Sequence, residues 1–143
     1  MNYVVDTCII NKLVDGLLDI KDLPDDGQFI ASHIQIDELN RTKDVERRAK
    51  LFLKFAKTVR GIAPTESFIL GVSRLDEGKL SDGNLCSLIK DQLDKANGGK
   101  ENNIHDALIT EVAIKNQYTL LTTDYDLSEV AKNNGCNVMY WKT

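Results

Sequence analysis

Short β-branched or aromatic runs alternate along this chain with segments of helical periodicity, and that alternation leaves few folds open. Asn2 to Val5, Gln28 to Ala31, Tyr118 to Thr122 and Val138 to Tyr140 read as strands. Thr7 to Gly16, the segment opening at Ser32-His33-Ile34-Gln35, Val45 to Val59, Leu85 to Lys95, Asn103 to Lys115 and Leu127 to Asn133 read as helices. Ser32 and Gln35 have capping-box spacing. Val45, Ala49, Phe52, Leu53, Ala56 and Val59 recur at three- and four-residue steps and predict an amphipathic helix with that stripe inward. Ser67 to Leu75 reads as a further strand or hairpin, with a loop between Asp76-Glu77-Gly78 and Ser81-Asp82-Gly83. Helices long enough to cross between strands predict an α/β domain on a mainly parallel sheet, where ligands bind beyond the carboxyl ends of the strands. The 143 residues suit a single domain, 1–143.

The composition, 42% hydrophobic and 28% charged, is that of a folded domain rather than a disordered chain. No run of 18 apolar residues offers a membrane span, and Met1-Asn2-Tyr3 lacks the start of a signal peptide. Cys8, Cys86 and Cys136 are odd in number and far apart, which excludes a disulfide framework and a cysteine zinc site. These features predict a cytoplasmic protein with reduced thiols. Charge is uneven. Arg41 to Arg60 holds eight Lys/Arg against Asp44 and Glu46, a local +6, so the net −4 leaves −10 on the other 123 residues. That segment reads either as a solvated helix face or as a surface for phosphates or an acidic partner, with Arg47, Arg48 and Lys54 as candidates.

Because ligands sit at strand ends, the acids there matter most. Asp6 follows the first strand, and Asp124 follows Leu120-Leu121-Thr122-Thr123, with Asp126 two residues on. Glu38 comes soon after the second strand, and Asp106 lies in the first turn of the Asn103 helix. Each has a plainer reading. Asp6 caps the next helix, Asp126 caps through its spacing to Glu129, Asn103 and Asp106 have cap spacing, and Glu38 is solvated. Together they predict a carboxylate pocket, whose like charges raise one another's pKa unless a divalent cation relieves them. Hard oxygen donors suit Mg²⁺ or Mn²⁺. His33 and His105 have no partner at ligand spacing, and His105 reads as a helix-surface residue or one behind the ligands. Metal-assisted phosphodiester hydrolysis fits this donor set, with the Thr7 and Thr122 hydroxyls available to a carboxylate or phosphate oxygen.

At Val4-Val5-Asp6-Thr7-Cys8-Ile9-Ile10, Ile36-Asp37-Glu38-Leu39, Ile104-His105-Asp106-Ala107-Leu108-Ile109 and Leu120-Leu121-Thr122-Thr123-Asp124-Tyr125-Asp126-Leu127, the chain resembles the PIN-domain family, most closely the VapC-type ribonuclease toxins. The resemblance runs through nearly the whole chain in order. It implies a three-layer α/β/α sandwich on a mainly parallel sheet of order 3-2-1-4-5. It further implies a Mg²⁺- or Mn²⁺-dependent endoribonuclease with Asp6, Glu38, Asp106 and Asp124 as catalytic, metal-holding acids. Asp126 is then peripheral, and Thr7 and Thr122 match the family's hydroxyl positions. An RNA substrate, a homodimer and a co-encoded antitoxin are the implied partners, with no membrane. Two departures stand out: Cys8 where many relatives carry Asn or Ser, and a long Ile62 to Gly83 segment, read as an added hairpin.

Two phosphate-handling alternatives that begin with a strand and an Asp fit poorly. A haloacid dehalogenase-type phosphatase needs an acid at position 8, and a receiver domain needs a late strand-end Lys. The alternative that survives is a catalytically silent PIN module that binds RNA or a protein partner.

Overall fold

A computed structural model describes residues 1–63 and 84–143. The chain order is β1 (Asn2–Val5), α1 (Thr7–Val14), a 3-10 turn (Ile20–Asp22), β2 (Gln28–Ala31), α2 (His33–Asn40), α3 (Val45–Thr58), β3 (Val59–Ile62), α4 (Asn84–Asn97), α5 (Asn103–Asn116), β4 (Thr119–Thr122), α6 (Tyr125–Asn133) and β5 (Asn137–Tyr140). The five strands form one parallel sheet in the order β3-β2-β1-β4-β5. Both central strands are buried on two faces, which explains their continuous apolar runs.

Successive side chains of a strand point to opposite faces, and the core divides accordingly. Val4 and Leu120 pack with Ile89, Leu93, Leu108 and Ile109 from α4 and α5 and with Leu127 from α6. Tyr3, Val5 and Leu121 pack on the other face with Ile9, Ile10 and Leu13 of α1 and Leu51 and Phe55 of α3. The result is three layers, helices on each side of the sheet. Helix α2 reaches both, sending Ile34 to the first cluster and Leu39 to the second. Its capping box forms as the sequence predicts: Ile34 N donates to Ser32 Oγ, and Ser32 N donates to Gln35 Oε1. Gln35 is 1% exposed, and its Nε2 also donates to the Val5 carbonyl at 2.9 Å. This bond ties α2 to the end of β1, one residue before Asp6.

Three features differ from the sequence expectation. First, α3 turns inward only part of the expected stripe: Phe52 and Val59 are partly buried against the core. Leu51, Phe55 and Thr58 are buried, while Val45 and Leu53 are 66% and 57% exposed. Second, the third strand is Val59–Ile62, inside and just after the stretch read as helix. Val59 has φ −84° and ψ 132°, so α3 passes into β3 with no loop. Thr58 and Val59 are β-branched and favour that exit from the helix. Third, α6 begins at Tyr125, two residues before the predicted Leu127. The expected strand or hairpin at Ser67 to Leu75, the loop after it and most of the Ile62 to Gly83 segment lie outside the described residues.

The face of α3 is directly testable. Leu51→Ala should lower the unfolding free energy by about 3 kcal/mol, as for other buried leucines. Leu53→Ala should change it by less than about 0.5 kcal/mol. Urea unfolding of the two variants checks this, and equal losses would contradict the burial described.

Candidate active site

Pairing of β1 with β4 builds the site. Val5 lies opposite Leu121, and Asp6 N donates to the Leu121 carbonyl at 2.9 Å, so the residues after both strands leave the sheet side by side. Asp6 occupies the N-cap position of α1 with extended backbone angles, yet its side chain makes no capping bond. Its Oδ2 instead accepts from Thr122 Oγ1 at 2.8 Å and from the Cys8 thiol at 3.1 Å. The cap reading of Asp6 is therefore set aside: the carboxylate is held by β4 and its own helix's first turn, not by the helix end.

Thr122 is fully buried and connects two acids. Its hydroxyl donates to Asp6 and accepts from Asp124 N at 3.0 Å. Asp124, not Asp126, is the N-cap of α6, with Oδ1 accepting from Leu127 N. Asn102, not Asn103, is the N-cap of α5, and the Asn103 amide turns to Asp94 and Asn97. Glu38 is presented by α2, one turn after the Gln35 clamp, and Asp106 by the first turn of α5.

All four acids line one cleft of about 270 Å³, with Thr7, Cys8 and Asn11 of α1, and Thr42 and Asn102 at its rim. Burial is the main influence on three of them. It raises the Asp6 pKa, opposed by the Cys8 and Thr122 bonds and helped by the charge of Asp124. It raises Asp106 well above the ordinary range, with Asp6, Glu38 and Asp124 adding to the shift and Lys100 opposing it. It carries Glu38 to about 7, with the Asp6 charge adding, and Thr7 and Arg41 acting the other way. Thr7 is near enough to favour the Glu38 carboxylate, but Thr7 Oγ1 and Glu38 Oε1 are both buried without a hydrogen-bond partner. These carboxylates thus share a poorly solvated space with little positive charge in it.

Other sequence candidates go elsewhere. Asp126 lines a separate groove between α4 and α6 with Lys95 and Glu129. Arg47 forks onto both oxygens of Asp15, at 2.7 and 3.2 Å, and also donates to Asn11 Oδ1. Arg48 donates to the Thr42 carbonyl, and Lys54 lines a groove between α1 and α3. His105 is buried rather than on the helix surface, with Nε2 facing Arg41 Nη1 at 3.4 Å. Cys8 is the residue that the sequence reading undervalued. Its thiol donates to Asp6 and accepts from Thr123 N at 3.3 Å, and burial pushes its pKa up, so it remains a neutral donor.

No protein-family model matches this sequence, and no curated protein is significantly similar to it. Solved structures are similar over nearly all of this chain. One is VapBC2 from Rickettsia felis bound to a DNA fragment from its promoter, at 18% identity and TM-score 0.59, covering 99% of this chain and 100% of that one. Another is VapBC-1 from nontypeable Haemophilus influenzae, at 17% identity and TM-score 0.57, covering 100% of both chains. A third is a domain of a functionally unknown protein from Methanocaldococcus jannaschii, at 21% identity and TM-score 0.56, covering 99% of this chain and 91% of that one. The fold is that of a PIN domain.

On this PIN fold the four acids meet at the carboxyl edge of the sheet, where ligands of parallel sheets bind. The carboxylates are all hard oxygen donors, which suit Mg²⁺ or Mn²⁺ better than a thiolate- or imidazole-preferring metal. Among the described residues, no group of three His, Cys, Asp or Glu side chains is already gathered to hold an ion. A cation here would draw part of its shell from water or substrate oxygens, the usual arrangement for Mg²⁺.

The raised acids fix a pH dependence. Between the ordinary Glu38 pKa of 4.5 and its folded value of about 7, the native state binds more protons than the unfolded one. Stability of the metal-free protein therefore falls as pH rises through this window. Thermal melts in EDTA should show wild type less stable at pH 8 than at pH 5.5, and Glu38→Gln should remove about 2 kcal/mol of that difference. Equal pH profiles for the two proteins would refute the placement of Glu38 among these acids.

Proposed function

We propose that the chain is a Mg²⁺- or Mn²⁺-dependent endoribonuclease, the toxin of a toxin–antitoxin pair. The observation that carries this reading is Asp6: an acid at a helix N-cap that declines the cap and is instead oriented by Thr122 and Cys8 into a cleft with three other acids. A solvated or structural acid does not require two buried donors on one oxygen. Glu38 Oε1, buried without a partner, and the mutual charge of Asp6, Glu38, Asp106 and Asp124 fit a cation as the missing counter-charge.

In this reading Asp6, Glu38, Asp106 and Asp124 would hold the metal, which when bound would supply water activation and charge stabilisation for phosphodiester hydrolysis. Thr122 and Cys8 keep the Asp6 carboxylate in place before any ligand arrives, so little reorganisation remains at the moment of reaction. Asn11, Thr42 and Asn102 offer neutral donors at the rim, suited to phosphate oxygens without competing for the metal. The PIN fold and the toxin–antitoxin neighbours support the same reading, which includes an RNA substrate, a homodimer, a co-encoded antitoxin partner and a cytoplasmic site of action. No helix among the described residues is long and apolar enough to cross a membrane.

Cleavage of a mixed structured and single-stranded RNA pool, with Mg²⁺, with Mn²⁺ and with EDTA, tests the function. Wild type should cut only with metal, and Asp6→Asn should abolish cleavage. Absence of metal-dependent cutting, together with no metal binding by calorimetry, would select the silent module instead. Thr122→Val should weaken Mn²⁺ binding roughly 10–100-fold, as losing a group behind a ligand does. Affinity equal to wild type would remove Thr122 from the site.

A further inference from the structure

Asn11 lies one turn beyond Thr7 on α1 and lines the cleft with it. The direction of its amide is fixed from behind. A guanidinium only donates, so the Asn11 oxygen faces Arg47, whose Nη2 donates to it at 2.9 Å. The amide nitrogen is turned the other way. It carries two hydrogens, and the Thr7 carbonyl accepts one of them at 3.1 Å. The second N–H remains for a ligand in the cleft.

Arg47 is itself held at both ends. Its backbone N donates to Asp44, the N-cap of α3, and its guanidinium forks onto Asp15 at 2.7 and 3.2 Å. Asp15 stands four residues after Asn11, so the two lie one above the other along α1 and a single planar fork reaches both. Asp15 is the C-cap of α1, where a negative charge is unfavourable by itself, and the Arg47 bond holds its carboxyl below the usual carboxylate range. Stability does not account for this arrangement. The two side chains are 36% and 41% exposed, and exposed ion pairs add little. A direct phosphate contact by Arg47 does not account for it either, because Asp15 already occupies the fork. With its charge matched by Asp15, Arg47 can orient Asn11 without competing with a cation for the acids of the cleft.

We infer that Arg47, braced by Asp15, is a positioning residue that turns the Asn11 amide so that its second N–H meets a phosphate oxygen of the RNA strand. Asn11 touches the substrate, and Arg47 acts through it. The inference rests on the ribonuclease reading and adds to it the group that orients the phosphate.

The test is filter retention of the labelled RNA pool by the full chain carrying Asp6→Asn, which should leave the RNA whole, with Mn²⁺ present. Adding Asn11→Ala should weaken binding about tenfold, the worth of one hydrogen bond to a charged group. Arg47→Lys keeps the charge but should still weaken binding roughly threefold, because an ammonium cannot grip Asp15 and Asn11 together. Asp15→Asn removes a negative charge and should nevertheless weaken binding too. Arg47→Lys combined with Asn11→Ala should bind no more weakly than Asn11→Ala alone. Arg47→Lys and Asp15→Asn should both melt close to wild type, as exposed pairs do. Full binding by Arg47→Lys, tighter binding by Asp15→Asn, or additive losses in the combined variant would show Arg47 acting by charge and overturn the proposal. RNA retention that Asn11→Ala leaves unchanged would overturn it while the nuclease reading stands. No retention by any form, with no cutting by wild type, would overturn both.

Discussion

The Thr122 hydroxyl holds the two halves of the site together. It gives its proton to Asp6 at the end of β1 and takes one from the backbone of Asp124 beyond β4. A hydroxyl can do both at once, as a methyl or an ammonium group cannot. The geometry exists because β1 and β4 are parallel neighbours in register, Val5 against Leu121. The rest of the architecture serves this pair: two apolar layers bury the strands, and Gln35 ties α2 to the last carbonyl of β1 so that Glu38 arrives at the same edge.

The cleft is also where the fold is least comfortable. Burial raises Asp6, Glu38 and Asp106 together, and their charges reinforce one another. Nothing in a folding argument favours three such acids in one place. The donors that the chain does supply, Thr122 and Cys8, converge on Asp6 alone. Strain of this kind concentrates where a protein works on something outside itself.

The sheet and its acidic edge were legible in the sequence because both rest on local rules: strand-helix alternation, and acids placed just after strands. Asp6, Glu38, Asp106 and Asp124 reach one cleft as expected. What was not legible depended on distant partners. Helix α3 offers two stripes that satisfy the same three-and-four spacing, and only the position of the sheet decides which is buried. Asp124 and Asp126 each stand three residues before a helical amide, and the turn after β4 makes Asp124 the cap. Strand β3 is hidden because it follows α3 without a break and contains Gly61, a poor strand former. Cys8 stood out only as a departure from the family pattern; its role as a donor was hidden because its second partner, Thr123, is 115 residues away.

That separation matters during synthesis. Asp6 leaves the ribosome 116 residues ahead of its hydrogen-bond partner Thr122. Strand β1 has β2 beside it almost at once, whereas its other flank stays open until β4 is made. A nascent or truncated chain therefore carries three of the four acids without the strand that brings them to one edge. Assembly of the cleft therefore waits on the pairing of β1 with β4, so the four acids meet only after the intervening helices and strands have been made.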